Sequence, residues 1–164
     1  MAGDPISTPI RGRGLRGAIT GAPTLLLALL LIGAGAATAQ QIEFRHPLDN
    51  EPLEVPLPEG DKLTEAVAEF HRTGQNLHVG DEQAIAAGKR IYARWCQACH
   101  MPDGSGRMGP SLIDEVYNHP RTNTDVGMFE IIYAGGTGAM QAFHPRLSQD
   151  EILQVIAYIH ELGK

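Results

Sequence analysis

Cysteine is scarce in this sequence: among 164 residues only Cys96 and Cys99 occur, three positions apart. A structural zinc site needs four ligands, and the seven histidines include no pair at the H-x₃₋₅-H spacing that could complete one. A thioredoxin-like dithiol needs a βαβ context, whereas the chain shows no alternating strand pattern. A disulfide between the two cysteines would close a very small loop and gain little stability. Zinc binding, dithiol redox chemistry and a structural disulfide are therefore all poor explanations of this pair.

The chain also lacks an apolar run long enough to span a bilayer, which takes about 20 residues. Its longest run, at about positions 22–32, follows three arginines and precedes Ala37-Thr38-Ala39. A charged region, a short apolar region and an A-x-A site in this order are typical of a secretory signal peptide. The sequence predicts that residues 1–39 are a signal peptide cleaved after Ala39, leaving a periplasmic protein without a membrane anchor. The alternative, a retained transmembrane anchor, would need a longer apolar run.

Basic residues are outnumbered by acidic ones. Without residues 1–39, 10 Lys and Arg remain against 18 Asp and Glu, which gives a net charge of −8. This charge argues against nucleic acid and anionic membranes as partners, and it favours a partner that presents lysines. Solubility alone is an equally compatible explanation of the charge.

Proline and helical periodicity divide the rest of the chain. Residues 40–60 contain four prolines and predict an extended, loosely attached acidic N-terminal arm. Residues 61–164 form the predicted domain, in which apolar residues recur at helical spacing in four segments, near 61–74, 83–95, 122–134 and 148–162. The last is the clearest, since Ser148 and Glu151 fit a capping box. The predicted fold class is therefore all-α.

The two cysteines belong to the sequence Trp95-Cys96-Gln97-Ala98-Cys99-His100, which contains the C-x-x-C-H pattern of c-type haem attachment. On one helical turn, cysteines at i and i+3 can both reach the vinyl groups of one porphyrin. The next residue, His100, then directs its imidazole at the iron. We predict one covalent haem c, with Cys96 and Cys99 as thioether links and His100 as the proximal iron ligand.

A second axial ligand must come from elsewhere in the chain. Met140 lies on a late glycine-rich loop that could fold across the distal face of the haem, and it is the predicted distal ligand, with His144 as the alternative. A thioether in this position stabilises ferrous iron and raises the potential, as in electron-transfer cytochromes. Met101 adjoins the proximal ligand, Met108 follows it closely, and Met128 sits at core spacing in a helix.

Other residues are predicted around the haem. A carbonyl near Pro110 could accept a hydrogen bond from His100 Nδ1 and fix the orientation of the imidazole. Turn stiffening alone would also explain this proline. Candidates for contacts with the haem propionates are Arg107, Tyr117, Arg121 and Tyr133.

Three further stretches carry a family resemblance: GRMGPSL, PRTNTDVGMFEIIYAGGTGAM and LSQDEILQVIAYI. Together with the haem motif they resemble cytochrome c(L), also written cytochrome c-L, across roughly Phe70 to Leu162. The resemblance implies a class I cytochrome c fold, with helices around one haem. It also implies a periplasmic electron carrier rather than an enzyme, and the size and function of such a carrier favour a monomer. Its donor would be a quinoprotein (PQQ-dependent) methanol dehydrogenase, and its acceptor a soluble cytochrome c or an oxidase.

Two alternatives remain at this point. A haem site with a labile distal ligand would be typical of a peroxidase-like enzyme that reduces peroxide. A carrier of the same class could also serve a different, ethanol-type quinoprotein dehydrogenase. Binding of external ligands by the native protein would indicate the first alternative, and the choice of donor would indicate the second.

Overall fold

The computed structural model describes residues 42–116 and 118–164. The predicted signal peptide, residues 1–39, and the propionate candidate Tyr117 lie outside the described residues. Within the described part the chain is helical, and its only β pairing is one isolated bridge between Arg45 and Pro52. Its helices are α1 (Glu65–Thr73), α2 (Glu82–Trp95), α3 (Gln97–His100), α4 (Asp125–Ala134) and α5 (Gln149–Leu162), with 3₁₀ turns at Gly60–Lys62 and Pro120–Asn123. This confirms the predicted all-α class.

Helices α2 and α5 cross at very close range. A Cβ at Gly88 would lie 2.0 Å from the carbonyl oxygen of Gln154, so only glycine allows this approach. One turn later the rings of Tyr92 and Tyr158 meet edge to face, with their centroids 5.3 Å apart. The crossing places the end of α2, and with it the cysteine motif, beside the apolar face of α5.

Helix α5 begins with the predicted capping box. Ser148 Oγ accepts a hydrogen bond from Glu151 N, and the Glu151 carboxylate accepts one from Ser148 N. The apolar residues of α5 then line up on its buried face, so that Ile152, Leu153, Val155 and Ile156 are completely buried. Burial of such side chains is worth roughly 1.5–3 kcal/mol each, and α5 is therefore the central element of the core.

The N-terminal segment contradicts the prediction of a loosely attached arm. Phe44 is only 6% exposed and packs against the rings of Phe70 and Phe129, at centroid distances of 6.0 and 5.4 Å. The backbone of the segment is bonded as well, since Ile42 N donates to His71 O. The prolines do keep it extended, but one aromatic side chain is enough to fix an extended segment to a core. The boundary between residues 40–60 and 61–164 stays a prediction.

Among the described residues, none of the helices has the length and apolar character needed to cross a membrane.

Candidate haem site

The cysteine motif occupies one helical turn, as its spacing predicts. Helix α2 ends at Trp95 and α3 follows from Gln97 to His100; Cys99 N and His100 N both donate to Cys96 O, at 3.1 and 3.0 Å. Cys96 and Cys99 are half-buried and form no disulfide. Before any haem is attached, burial, with a smaller effect of Cys99, raises the pKa of the free Cys96 thiol to about 12.

The imidazole of His100 is buried and has one defined partner. Its Nδ1 lies 2.9 Å from the carbonyl oxygen of Pro110, which accepts a hydrogen bond from this nitrogen. The predicted contact between a carbonyl at Pro110 and His100 Nδ1 is thus confirmed. With Nδ1–H donating to this oxygen, the lone pair of Nε2 stays available for a metal.

A tight loop carries Pro110 back to His100. Gly109 N donates to Cys99 O and Gly106 N to His100 O, both at 3.0 Å, so the loop folds directly onto the end of α3. At Gly106 φ is +84°, and a Cβ would lie 2.4 Å from Ser111 N, which leaves no space for any side chain. The glycines after the motif therefore allow the backbone to wrap closely around His100.

All four predicted haem residues meet at one place. Cys96, Cys99, His100 and Met140 line a cavity of about 170 Å³. An adjoining cavity of about 390 Å³ shares three of them, Cys96, His100 and Met140. Its other lining residues include the apolar side chains Met128, Ile131, Ile132, Val155 and Ile159. Two thiols, an imidazole with an available Nε2 and a thioether around a largely apolar space fit a covalent haem c with two axial ligands.

Met140 is held at the cavity by the loop between α4 and α5. Met140 O accepts a hydrogen bond from Gly136 N at 3.0 Å, and Phe143 N donates to Ile132 O at 3.0 Å. The side chain is half-buried and packs against the core. The alternative ligand His144 is exposed, stacks on Tyr133 at 4.5 Å between centroids and does not line either cavity.

The other methionines and the candidates for propionate contacts differ in whether they line the cavities. Met108 lines the smaller cavity but is 75% exposed, and Met128 lines the larger one while packing against the core. Arg107, Tyr133 and Arg121 line neither cavity, which does not support their proposed propionate contacts. Arg121 instead binds the carboxylate of Glu130.

Sequence reasoning missed the residues that form one side of the larger cavity. Asn118, His119, Thr122 and Asn123 line it from around the 3₁₀ turn at Pro120–Asn123. It also missed the contact of Gly109 with the ring of His100. The only sequence signal for the four lining residues was the polar composition of residues 118–123. A polar stretch by itself indicates only a loop.

Comparison with known proteins shows which proteins the chain resembles. The protein family described as cytochrome c oxidase, cbb3-type, subunit III matches residues 83–159. Cytochrome c-L of Methylorubrum extorquens is 35% identical over 148 residues, which is 85% of this chain and 75% of that protein. The cbb3-type cytochrome c oxidase subunit FixP of Bradyrhizobium diazoefficiens is 31% identical over 107 residues, covering 63% of this chain and 36% of that protein.

Two crystal structures of cytochrome c-L proteins resemble the fold. The one from the marine methylotrophic bacterium Methylophaga aminisulfidivorans has a TM-score of 0.70 at 35% identity and covers 74% of this chain and 81% of its own. The one from Hyphomicrobium denitrificans has a TM-score of 0.69 at 34% identity, with 74% and 73% covered. These relatives confirm the class I cytochrome c fold. The chain belongs to the cytochrome c-L family of c-type cytochromes, electron carriers whose cofactor is covalently bound haem c.

Proposed function

We propose that this protein is a periplasmic carrier that accepts one electron at a time from a PQQ-dependent methanol dehydrogenase and passes it to a soluble cytochrome c or an oxidase. The observation that carries the proposal is the meeting of Cys96, Cys99, His100 and Met140 at one cavity in a chain 35% identical to a cytochrome c-L. The donor is supported by the methylotrophic source of one structural relative. An oxidase as acceptor is supported by the similarity to cbb3 oxidase subunits. Export would remove residues 1–39, so that the mature chain begins at Gln40.

We assign the four residues as follows. Cys96 and Cys99 would hold the haem through thioether bonds, with His100 as the proximal iron ligand and Met140 as the distal one. When bound, haem c supplies the reversible ferric–ferrous couple. His100 contributes a fixed orientation, because Pro110 O binds its Nδ1–H at 2.9 Å. The Met140 thioether favours the ferrous state and so raises the potential.

The apolar lining of the larger cavity has its own role in electron transfer. Ile132, Val155 and Ile159 are buried side chains that present hydrocarbon to this space. A dry environment disfavours the more highly charged ferric state and limits the rearrangement of water when the electron moves. These residues thus make the site suited to outer-sphere electron transfer.

The surface beside the cavity has the charge expected for docking. Asp114 and Glu115 are exposed and line the mouth of the larger cavity. They add to a mature net charge of −8. Carboxylates in this position would attract a donor whose docking face carries lysines.

Stopped-flow reduction of the ferric holoprotein tests this function. We expect rapid, saturable reduction by a quinoprotein methanol dehydrogenase with methanol, and slow reduction by an ethanol-type quinoprotein with ethanol. The rate with the methanol enzyme should fall as salt rises, because charges are screened over about 10 Å at 0.1 M ionic strength. Equal rates with both enzymes, or failure with the methanol enzyme, would overturn the donor assignment. A rate independent of salt would overturn the electrostatic part.

A further inference from the structure

Glu130 is a carboxylate buried inside the protein. Its side chain is 1% exposed and accepts three hydrogen bonds. Arg45 N donates to Oε1 at 2.7 Å, Arg121 Nε to Oε2 at 2.8 Å, and Arg121 Nη2 to Oε1 at 2.6 Å. A buried carboxylate is tolerated only when it is paired and hydrogen-bonded in this way. The two hydrogen bonds that Arg121 donates to Glu130 raise the pKa of Arg121.

Arg121 belongs to the 3₁₀ turn at Pro120–Asn123, and it is also fixed through its backbone. Its carbonyl oxygen accepts a hydrogen bond from Thr124 Oγ1 at 2.8 Å. A Cβ at Gly127 would lie 1.9 Å from the same oxygen, so α4 and the turn are in close contact there. The turn is thus attached to α4 twice, once by the backbone of Arg121 and once by its guanidinium group.

This turn forms one side of the larger cavity. Its residues Thr122 and Asn123, with the preceding Asn118 and His119, line the same space as His100 and Met140. We call residues 118–123 the cavity wall. The hydrogen bonds of Thr122 go to His119 O, within the wall itself, so they do not attach it to a helix. Among the described residues, the wall's own side chains are attached to α4 through the pair between Arg121 and Glu130.

The third hydrogen bond of Glu130 connects the N-terminal segment to the same point. The bond comes from the backbone of Arg45, next to the buried Phe44. Phe44 packs against Phe129, the neighbour of Glu130 in α4. Glu130 is therefore the point at which the N-terminal segment, α4 and the cavity wall are joined.

We propose that Glu130, acting through Arg121, is a positioning residue that holds residues 118–123 closed over the haem cavity and so limits access of external ligands and water to the iron. The inference rests on the proposed function, because it assigns this cavity to haem. The hydrogen bonds of Glu130 go to Arg45 and Arg121 and to none of the four haem residues. It acts by fixing the wall.

An effect of charge on the haem potential can be separated from an effect on the position of the cavity wall, because Glu130 and Arg121 carry opposite charges. Loss of the negative charge in Glu130→Gln would by itself raise the potential of a nearby haem, and loss of the positive charge in Arg121→Gln would lower it. Arg121→Lys keeps the charge but loses the bidentate geometry. If the wall opens, all three variants should behave alike. Water that enters the cavity favours ferric iron, and an external ligand reaches the iron faster.

The test is the rate at which imidazole binds to the ferric holoprotein, followed by stopped-flow absorbance without denaturant, together with the midpoint potential. The matched control is Glu69→Gln, which breaks an Arg–Glu pair of the same geometry between Glu69 and Arg72 on the exposed side of α1. We expect imidazole to bind about tenfold faster or more in all three variants, and at the wild-type rate in the control. We also expect Arg121→Lys to lower the potential although the charge is unchanged.

Three results would overturn the proposal. Wild-type imidazole rates in the variants, even with reduced resistance to urea, would mean that the pair only stabilises the fold. Potentials that move in opposite directions in Glu130→Gln and Arg121→Gln at unchanged imidazole rates would mean that the pair acts through charge alone. Should Glu130→Gln fail to fold, the two Arg121 variants decide the matter, since that side chain is 45% exposed. Absence of covalent haem from the unmodified protein would overturn the proposed function and this inference together, whereas failure of methanol dehydrogenase to reduce it would overturn only the donor.

Discussion

Gly109 lies against the face of the His100 imidazole: a Cβ at position 109 would stand 2.6 Å from Cε1, 2.8 Å from Nδ1 and 2.9 Å from Nε2 of the ring. The ring therefore has backbone on one face and the Pro110 carbonyl oxygen at its Nδ1. Together these contacts leave the imidazole one orientation, with Nε2 available to the iron.

Gly109→Ala should displace this ring. The added methyl group cannot fit without moving His100 or the loop, and such overpacking costs about 1–3 kcal/mol. We expect lower stability of the holoprotein, measured by urea unfolding followed at the haem absorbance, and a changed midpoint potential. In the control Gly163→Ala the methyl group meets nothing closer than 4.0 Å. The free energy of unfolding of this control should therefore change by less than about 0.5 kcal/mol. Equal behaviour of the two variants would contradict the role of Gly109.

Met140→Ala should lower the potential and open a coordination position on the iron. Without the thioether, cyanide should bind ferric protein and carbon monoxide ferrous protein at neutral pH, which absorbance spectra detect. Met128→Ala is the matched control, because Met128 also lines the larger cavity but packs against the core. That variant should lose about 1–2 kcal/mol of stability, and its potential should change far less than that of Met140→Ala. An unchanged potential in Met140→Ala would refute the ligand assignment, and rapid ligand binding by the unmodified protein would favour the peroxidase-like alternative.

His160 makes a pH-dependent contribution to stability. Its Nε2 lies 2.7 Å from Asp125 Oδ1, and this hydrogen bond raises the pKa of His160, opposed by partial burial. A raised pKa in the folded state means that the contribution is complete below the unfolded pKa of about 6.5 and is lost as the pH rises through the folded value. Because the pair is partly exposed, the contribution should be under about 1 kcal/mol.

The measurement is the free energy of unfolding of wild type and His160→Gln at several pH values between 5.5 and 8.5, a range of about one unit or more on either side of the ordinary histidine pKa. The advantage of wild type should shrink as the pH rises. An advantage that grows with pH would mean that the neutral imidazole is the stabilised form.

Gly88→Ala should destabilise the crossing of α2 and α5, although alanine is the better helix former by about 1 kcal/mol. The methyl group would lie 2.0 Å from Gln154 O, which forces the two helices apart. We expect a net loss of about 1–3 kcal/mol in urea unfolding. Ala86→Ser, on the exposed face of the same helix, should change stability by less than about 0.5 kcal/mol. A Gly88→Ala variant more stable than wild type would show that the crossing adjusts easily.

Local patterns in the sequence predicted much of this structure. The capping box at Ser148 and the helical turn of the cysteine motif both depend on residues within a few positions of one another. Their chemistry is decided locally, so the sequence was sufficient. That Met140 rather than His144 is the distal iron ligand remains a prediction. Of these two residues, Met140 lines the cavities and His144 does not.

Contacts between distant residues were not predictable. Phe44 looked like part of a proline-rich arm, because nothing near it in the sequence shows that Phe70 and Phe129 leave a space for its ring. Glu130 is the one charged residue in the run from Val126 to Tyr133, but nothing near it in the sequence indicates its partners. Its partners, 9 and 85 positions away, are set by the fold.

The intact mass of the purified, exported protein tests the central claim most directly, that one haem is held covalently by Cys96 and Cys99. The account predicts a chain that begins at Gln40 and carries the added mass of one haem, with neither cysteine available to a thiol reagent. Replacement of both cysteines by serine should remove the added mass. A wild-type mass without haem, or two cysteines that still react as free thiols, would contradict it.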